Sequence, residues 1–233
     1  MKLRLYNYWR SSASHRVRIA LGLKNLEYEY IATSIIKKEQ FAESFRERNP
    51  MSQVPTLEIV NDDASTYAIA QSLPIIEYLE EVFPTVPLLP VDPLLRAKCR
   101  GLAEIINSGI QPLQNLSTTK RLKELGADES VWVKAFIAEG MTAFAAAAAP
   151  FSGLYCIGDS PTIADCCLVP QLASARRFGL LDADGVWADH APLPGLHDIG
   201  RAGLDSLIAI EKRCLALPAF ADAMPDRQPD AVK

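Results

Sequence analysis

Four prolines fall within ten residues of this 233-residue chain, at Pro84, Pro87, Pro90 and Pro93. Each fixes φ and removes a backbone donor, so neither a helix nor an inner strand continues through them. The stretch reads as a stiff connector, and it cuts the chain into two parts of different character. Residues 1–84 mix short strand-like and helix-like segments. Beyond Asp92 no convincing strand pattern appears. The expected organisation is therefore a small α/β domain over 1–84, a proline-rich linker over 85–93 and an all-helical domain over 94–233.

The first part has a definite order. Leu3-Arg4-Leu5-Tyr6 alternates apolar and polar and reads as a strand. Arg16 to Leu26 suits a helix, with apolar Val17, Ala20, Leu21 and Leu23. Tyr28 to Ala32 is aromatic and β-branched, a second strand. Glu39 to Arg48 reads as a short helix with Phe41 and Phe45 one turn apart. Thr56 to Val60 and Thr66 to Ala70 flank Asn61-Asp62-Asp63-Ala64-Ser65, which is hairpin chemistry. Ser72 to Phe83 is helical, with Pro74 tolerated in the first turn. The order β-α-β-α-β-β-α implies a parallel pair first and an antiparallel hairpin last.

In the second part, Leu94 to Ser108 and Ser130 to Ala149 favour helix, the latter ending in five alanines stopped by Pro150. Thr162-Ile163-Ala164-Asp165 carries the pattern of a capping box and opens a helix through about Arg177. One more helix is expected over Gly203 to Leu215, followed by a polar tail. Residues 179–200 read as a long excursion. The net charge of -4 disfavours nucleic acid as a partner. No apolar run is seen to approach the ~20 residues of a membrane span. Met1 to Tyr6 is too polar for the core of a signal peptide, which leaves the cytoplasm as the expected location. Cys99, Cys156, Cys166, Cys167 and Cys214 show no CxxC spacing and read as reduced and mostly buried. His15, His190 and His197 are scattered, so no metal site is expected.

Four features of the first part bear on chemistry. Ser11-Ser12-Ala13-Ser14 precedes a helix, where hydroxyls and free amides suit either an anion or thiolate, or a plain N-cap. Val54-Pro55 precedes a strand. A cis bond there leaves the Val54 backbone free for an extended ligand; a trans turn proline is the alternative. Gln71-Ser72 opens the last helix, either as a carboxylate site or as another cap. Arg10 beside the serines is a carboxylate ligand or a surface arginine. There is no Gly-rich phosphate loop, no GxSxG and no cysteine in the first loop, so thiol chemistry at Ser11–Ser14 requires a thiol carried by a ligand.

The run Ser11-Ser12-Ala13-Ser14-His15-Arg16-Val17-Arg18-Ile19-Ala20-Leu21 resembles the signature of zeta-class glutathione transferases, whose best-known members are maleylacetoacetate isomerases. The likeness recurs in order at Asn49–Leu57, Gln71–Glu81, Ile110–Leu116, Ala164–Gln171, Leu217–Phe220 and Arg227–Asp230, and so spans most of the chain. It implies the glutathione transferase fold, an α/β thioredoxin-like domain followed by an all-α domain. It also implies glutathione as cofactor. Ser11 is similar by position to the serine that hydrogen-bonds the glutathione sulfur. Gln40 and Val54 fall at the peptide backbone of glutathione, Gln71 and Ser72 at its γ-glutamyl end, and Ser12 and Pro55 are implied as glutathione-binding residues beside them. Gln111, Asn115 and Ser117 are implied as further contacts from the helical domain. Two departures stand out: Ala13 where the family often has cysteine, and His15 where it often has an aromatic.

The reaction so implied is a glutathione-dependent cis–trans isomerisation of maleylacetoacetate, a small anionic enedione, by thiolate addition, bond rotation and elimination. Arg10 and Arg176 are the candidates for the substrate carboxylates; for Arg176, at the end of the capping-box helix, a plain helix-dipole role is the alternative. Maleylpyruvate isomerisation, glutathione conjugation or dehalogenation, and a non-catalytic binding module on the same fold are the competing readings. A homodimer is implied by the family alone.

Overall fold

The computed structural model describes residues 1–188 and 203–232. They fall into two compact units. The first comprises Met1–Leu88 together with Leu215–Lys233, and the second Leu89–Cys214.

The first unit is built on a four-stranded sheet ordered β2-β1-β3-β4. Its strands are β1 (Lys2–Asn7), β2 (Glu29–Ala32), β3 (Thr56–Val60) and β4 (Thr66–Ala70). β1 pairs parallel with β2, with Leu5 opposite Tyr30, and antiparallel with β3, where Leu5 lies opposite Leu57. β3 and β4 form the expected hairpin, in register from Thr56–Ala70 to Val60–Thr66. β3 is buried along nearly its whole length, as befits an inner strand, whereas β4 is exposed at Thr66, Tyr67 and Ala68 and forms an edge. Three helices complete this part: α1 (Ser12–Leu23), α2 (Glu43–Arg48) and α3 (Ser72–Val82). A 3₁₀ turn at Glu39–Phe41 replaces the first half of the single helix expected over 39–48.

Leu5, Val17, Ile19, Leu21, Leu57, Ile75, Ile76 and Leu79 are sealed from solvent and form the core of this unit. At its edge, Lys24 Nζ reaches Glu80 Oε2 at 2.8 Å and the carbonyls of Phe83 and Val86 at 2.9 and 2.8 Å. Glu80 Oε2 also accepts from Leu88 N–H at 2.9 Å. One buried ion pair thus fixes the start of the proline-rich stretch to α1 and α3.

In the second unit, α4 (Pro93–Glu104) starts on an Asp92 cap with proline in its first turn. It runs into a π-helical turn at Ile105–Ile110 and a 3₁₀ turn at Gln111–Gln114. Then come α5 (Leu116–Glu124), α6 (Glu129–Ala148), α7 (Ile163–Arg177) and α8 (Leu204–Leu215). Gly140 lets α6 approach the π turn: a Cβ there would stand 2.3 Å from Ile110 Cγ1. The capping box forms as expected. Asp165 is fully buried and accepts from Thr162 N–H and Oγ1, both at 2.8 Å, and from Cys156 N–H at 2.9 Å. All five cysteines are free and buried.

Two expectations need correction, and a third is described only in part. The helical part was read as extending to residue 233, yet residues 215–233 belong with the first unit. They are not a plain polar tail but carry a short helix, α9 (Pro218–Ala221), and a 3₁₀ turn at Pro225–Arg227. The reason is packing: Phe220 is fully buried, and Gly22 of α1 lets α9 in so closely that a Cβ there would lie 3.1 Å from Ala219 Cα. Second, α6 is long and apolar enough, by length and composition, to cross a membrane. Its alanines raise the mean hydropathy although Lys134 and Glu139 interrupt it, and half of its apolar window is buried against its neighbours. Third, of the excursion at 179–200, residues 179–188 close into a short turn with Leu181 bridged to Trp187. Residues 189–200 lie outside the described residues.

Candidate functional site

The serine cluster starts α1. Ser11 is the N-cap, with φ -72° and ψ 119°, and its Oγ accepts from Ser14 N–H at 3.2 Å. A hydroxyl that accepts in this way still has its own proton to donate outward. Ser11 and Ser12 are half-buried at the positive end of the helix, so a thiolate there gains both a donor and the helix dipole. Arg10, just before the cap, is exposed, and its guanidinium lies over the Trp9 ring at 5.5 Å.

A second helix start is tied to the first. Ser72, the first residue of α3, is buried and its Oγ accepts from Arg16 Nη1 at 3.1 Å. Arg16 stands on α1 one turn beyond the serines and is itself buried. Gln71 caps α3 with φ 72°, in the left-handed region that L residues seldom adopt, and is exposed. Backbone strain of this kind persists only where the surroundings hold it, and it clusters at ligand-binding sites. Val54-Pro55 is cis. Among the described residues, the N–H and C=O of Val54 make no backbone hydrogen bond. Gln40 is buried, and its Oε1 has no partner among the described residues. A buried, unpaired carbonyl is costly and calls for a donor, which the amides of a peptide ligand provide. The residues of this unit therefore fit glutathione: an open backbone edge at Val54, an orphaned acceptor at Gln40, and two helix starts carrying hydroxyls.

The helical-unit candidates lie on one short stretch. Gln111 opens the 3₁₀ turn and is half-buried, Asn115 caps α5 through its backbone, and Ser117 is exposed. Arg176 has a different partner from the one expected. Its Nη1 and Nη2 fork onto Glu211 Oε1 and Oε2 at 2.5 and 2.6 Å, and this pairing raises its pKa. The geometry that suits a substrate carboxylate is spent on an internal one, which joins α7 to α8. Arg10 is thus the better-placed candidate of the two. Among the described residues, no group of three or more His, Cys, Asp or Glu side chains converges as a metal site would.

The sequence reading missed Arg16 as the holder of Ser72, and it missed the buried Arg18. The only signal was an arginine at each of two helix positions among apolar residues, Arg16-Val17-Arg18-Ile19. Burial drives the Arg18 pKa down to about 10 against the pull of Tyr30, Tyr28 and Asp230. His15, on the same helix, is also buried, and its pKa lies well below the usual histidine value, first through desolvation and then through Arg18.

Residues 10–82 match the glutathione S-transferase N-terminal domain family. Rat maleylacetoacetate isomerase is 44% identical over 229 residues, covering 97% of this chain and 94% of that protein. The chain belongs to the zeta-class glutathione transferase family, that of the maleylacetoacetate isomerases. Members of the zeta class also match in three dimensions. A maleylacetoacetate isomerase from Anaeromyxobacter dehalogenans, solved with glutathione in its active site, is 44% identical with a TM-score of 0.84, covering 99% of this chain and 98% of that one. A bacterial zeta-class maleylpyruvate isomerase, solved in its holo form, is 39% identical with a TM-score of 0.81, covering 98% of this chain and all of that one. Both parts of this zeta-class chain are thus matched, although the family model reaches only the first.

Proposed function

We propose that this chain is a glutathione-dependent cis–trans isomerase acting on maleylacetoacetate. The observation that carries the reading is 44% identity with a maleylacetoacetate isomerase over nearly the full length, joined to a capping serine at the N-terminus of α1 whose hydroxyl proton remains to be donated. Glutathione, held by Ser11, Gln40, Val54, Gln71 and Ser72, would supply a nucleophilic thiol able to add reversibly to the alkene and so free its double bond to turn.

The chain's own residues do the rest. Ser11 donates its hydroxyl proton towards the sulfur and, with the dipole of α1, favours the thiolate over the thiol. Gln40, Val54, Gln71 and Ser72 hold the tripeptide, the last with its hydroxyl oriented by Arg16. Arg10 offers its guanidinium fork to a substrate carboxylate, and the same charge favours negative charge developing on the neighbouring carbonyl oxygen. Ala13 puts no protein thiol beside the sulfur, so no mixed disulfide with this loop competes.

Maleylpyruvate is the second candidate substrate, favoured by the similarity to the holo maleylpyruvate isomerase. The two substrates, assayed side by side with and without glutathione, decide the matter. Glutathione-dependent turnover of maleylacetoacetate supports the reading; turnover of maleylpyruvate alone moves the chain to the other pathway; turnover of neither leaves conjugation or dehalogenation. Arg10→Ala is expected to lose most turnover while glutathione affinity stays near that of the parent, and undiminished turnover removes Arg10 from the mechanism. Five buried free thiols suit a reducing compartment, which supports a cytoplasmic location. A homodimer rests on family membership and is checked by light scattering.

A further inference from the structure

The main chain of Trp9 is gripped from both sides. Its N–H donates to Asp230 Oδ2 at 3.1 Å, across 221 residues of sequence. Its carbonyl accepts from Arg18 Nη2 at 3.0 Å. Both partners are anchored elsewhere. The other oxygen of Asp230 accepts a short hydrogen bond from the Tyr30 hydroxyl on β2. Arg18 also donates to the Ala223 carbonyl, through Nε at 3.2 Å and Nη2 at 3.0 Å, and through Nη1 to Asn7 Oδ1 at 3.1 Å.

What this grip holds is the approach to the site. Ser11 N–H donates to the Tyr8 carbonyl at 3.0 Å, closing a turn whose two central residues are Trp9 and Arg10. The last residue of that turn is the Ser11 cap, and Arg10 rests on the Trp9 ring. A carboxylate is the wrong group to meet an anionic substrate or a thiolate, because it repels both. Asp230 is instead occupied with Trp9 N–H and Tyr30.

We propose that Asp230, acting with Arg18 across the Trp9 main chain, is a positioning residue that fixes the Tyr8–Ser11 turn and so aims the Ser11 hydroxyl and the Arg10 guanidinium. This rests on the roles given to Ser11 and Arg10 under the proposed function. The chain's last residues thereby set the geometry of its first loop. A misplacement of about 1 Å in such a loop costs rate out of proportion to its effect on binding.

The test compares the parent with Asp230→Ala and Asp230→Asn by three readouts. The first is amide hydrogen exchange at Trp9 and Ser11 in the free protein. The second is the ultraviolet thiolate absorbance of the glutathione complex followed against pH, with no enedione present. The third is steady-state kinetics. Asp230→Ala is expected to speed exchange at both amides, to move the bound thiol's pKa upwards towards that of the free thiol, and to lower kcat about tenfold while KM for glutathione stays within about twofold.

Asp230→Asn keeps an oxygen facing Trp9 N–H, so it should fall between parent and alanine, short of the parent because a neutral acceptor is weaker. If the alanine variant does not fold, the asparagine variant carries the test. A folded variant with a lower melting temperature but with the parent's thiol titration and kcat overturns the proposal, since Asp230 then only docks the C-terminal segment. The isomerase reading fails separately, when the parent itself turns over no enedione; the thiol titration and amide exchange still decide the role of Asp230.

Discussion

Ser11 does two things at once, and substitution can separate them. As the N-cap of α1 it accepts from Ser14 N–H, and it keeps its own proton to donate. Ser11→Ala removes both functions: the protein should lose about 1 kcal/mol from the missing cap, and turnover should fall about 10²–10³-fold. Ser11→Asp keeps a good cap but brings a negative charge and no donor. Its melting temperature should match the parent's while turnover is lost. An aspartate variant that still turns over would deny Ser11 any role at the sulfur. Four residues on, His15 sets a pH limit. Its folded pKa is depressed, by burial first and by Arg18 second, so the stability linked to it is present above the unfolded value near 6.5. That stability is lost as the pH falls from there towards the folded value, at about 1.4 kcal/mol per pH unit. Denaturant unfolding at steps from pH 7 to pH 5 should show this slope in the parent. His15→Phe, with the aromatic common in the family, should flatten it.

α7 illustrates how local pattern and distant contact divide the work. Its start was readable because Thr162 and Asp165 lie three residues apart, and the structure adds a donor that no local pattern contains, the N–H of Cys156. Asp165→Ala strands three donors in a sealed site and should cost about 3 kcal/mol or more. Chemical denaturation should show that loss, together with faster amide exchange at Cys156 and Thr162. A loss below 1 kcal/mol would mean that water replaces the carboxylate. The same division explains what could be read elsewhere. β3 and β4 were legible to the residue, because alternating and β-branched runs flank an Asn-Asp-Asp turn. α5 was missed, because Leu116–Glu124 is charged and buries no side chain, leaving no apolar period to find. The serines of the site announced themselves at a helix start. The partners that orient or occupy the rest did not: Arg16 for Ser72 is 56 residues away, and Glu211 for Arg176 is 35 away. Pairings of that separation leave no trace in a single sequence.

The chain leaves its first unit at Leu88 and re-enters it at Leu215, so the unit containing Ser11 is incomplete until the last residues are made. The returning segment is integral to it. Phe220 is fully buried there, α9 lies against Gly22, and the Ala223 carbonyl takes two of the hydrogen bonds of buried Arg18. Without residues 215–233, Arg18 keeps, among the described residues, only Asn7 and Trp9 as hydrogen-bond partners, and Trp9 N–H loses Asp230. Leaving a buried charge short of partners costs about 3–5 kcal/mol, and losing a buried aromatic costs about 2 kcal/mol more. Together these rival the 5–15 kcal/mol that holds a typical domain folded. A fragment of residues 1–88 should therefore melt without a cooperative transition by far-ultraviolet circular dichroism, although it contains all four strands of the sheet and all the residues of the serine loop. Joining residues 215–233 to that fragment through a flexible glycine–serine linker should restore a cooperative melt. The same joined fragment carrying Asp230→Ala should melt lower than its parent. A 1–88 fragment that unfolds as cooperatively, and at the same temperature, as the joined one would show the returning segment to be dispensable to the unit it completes.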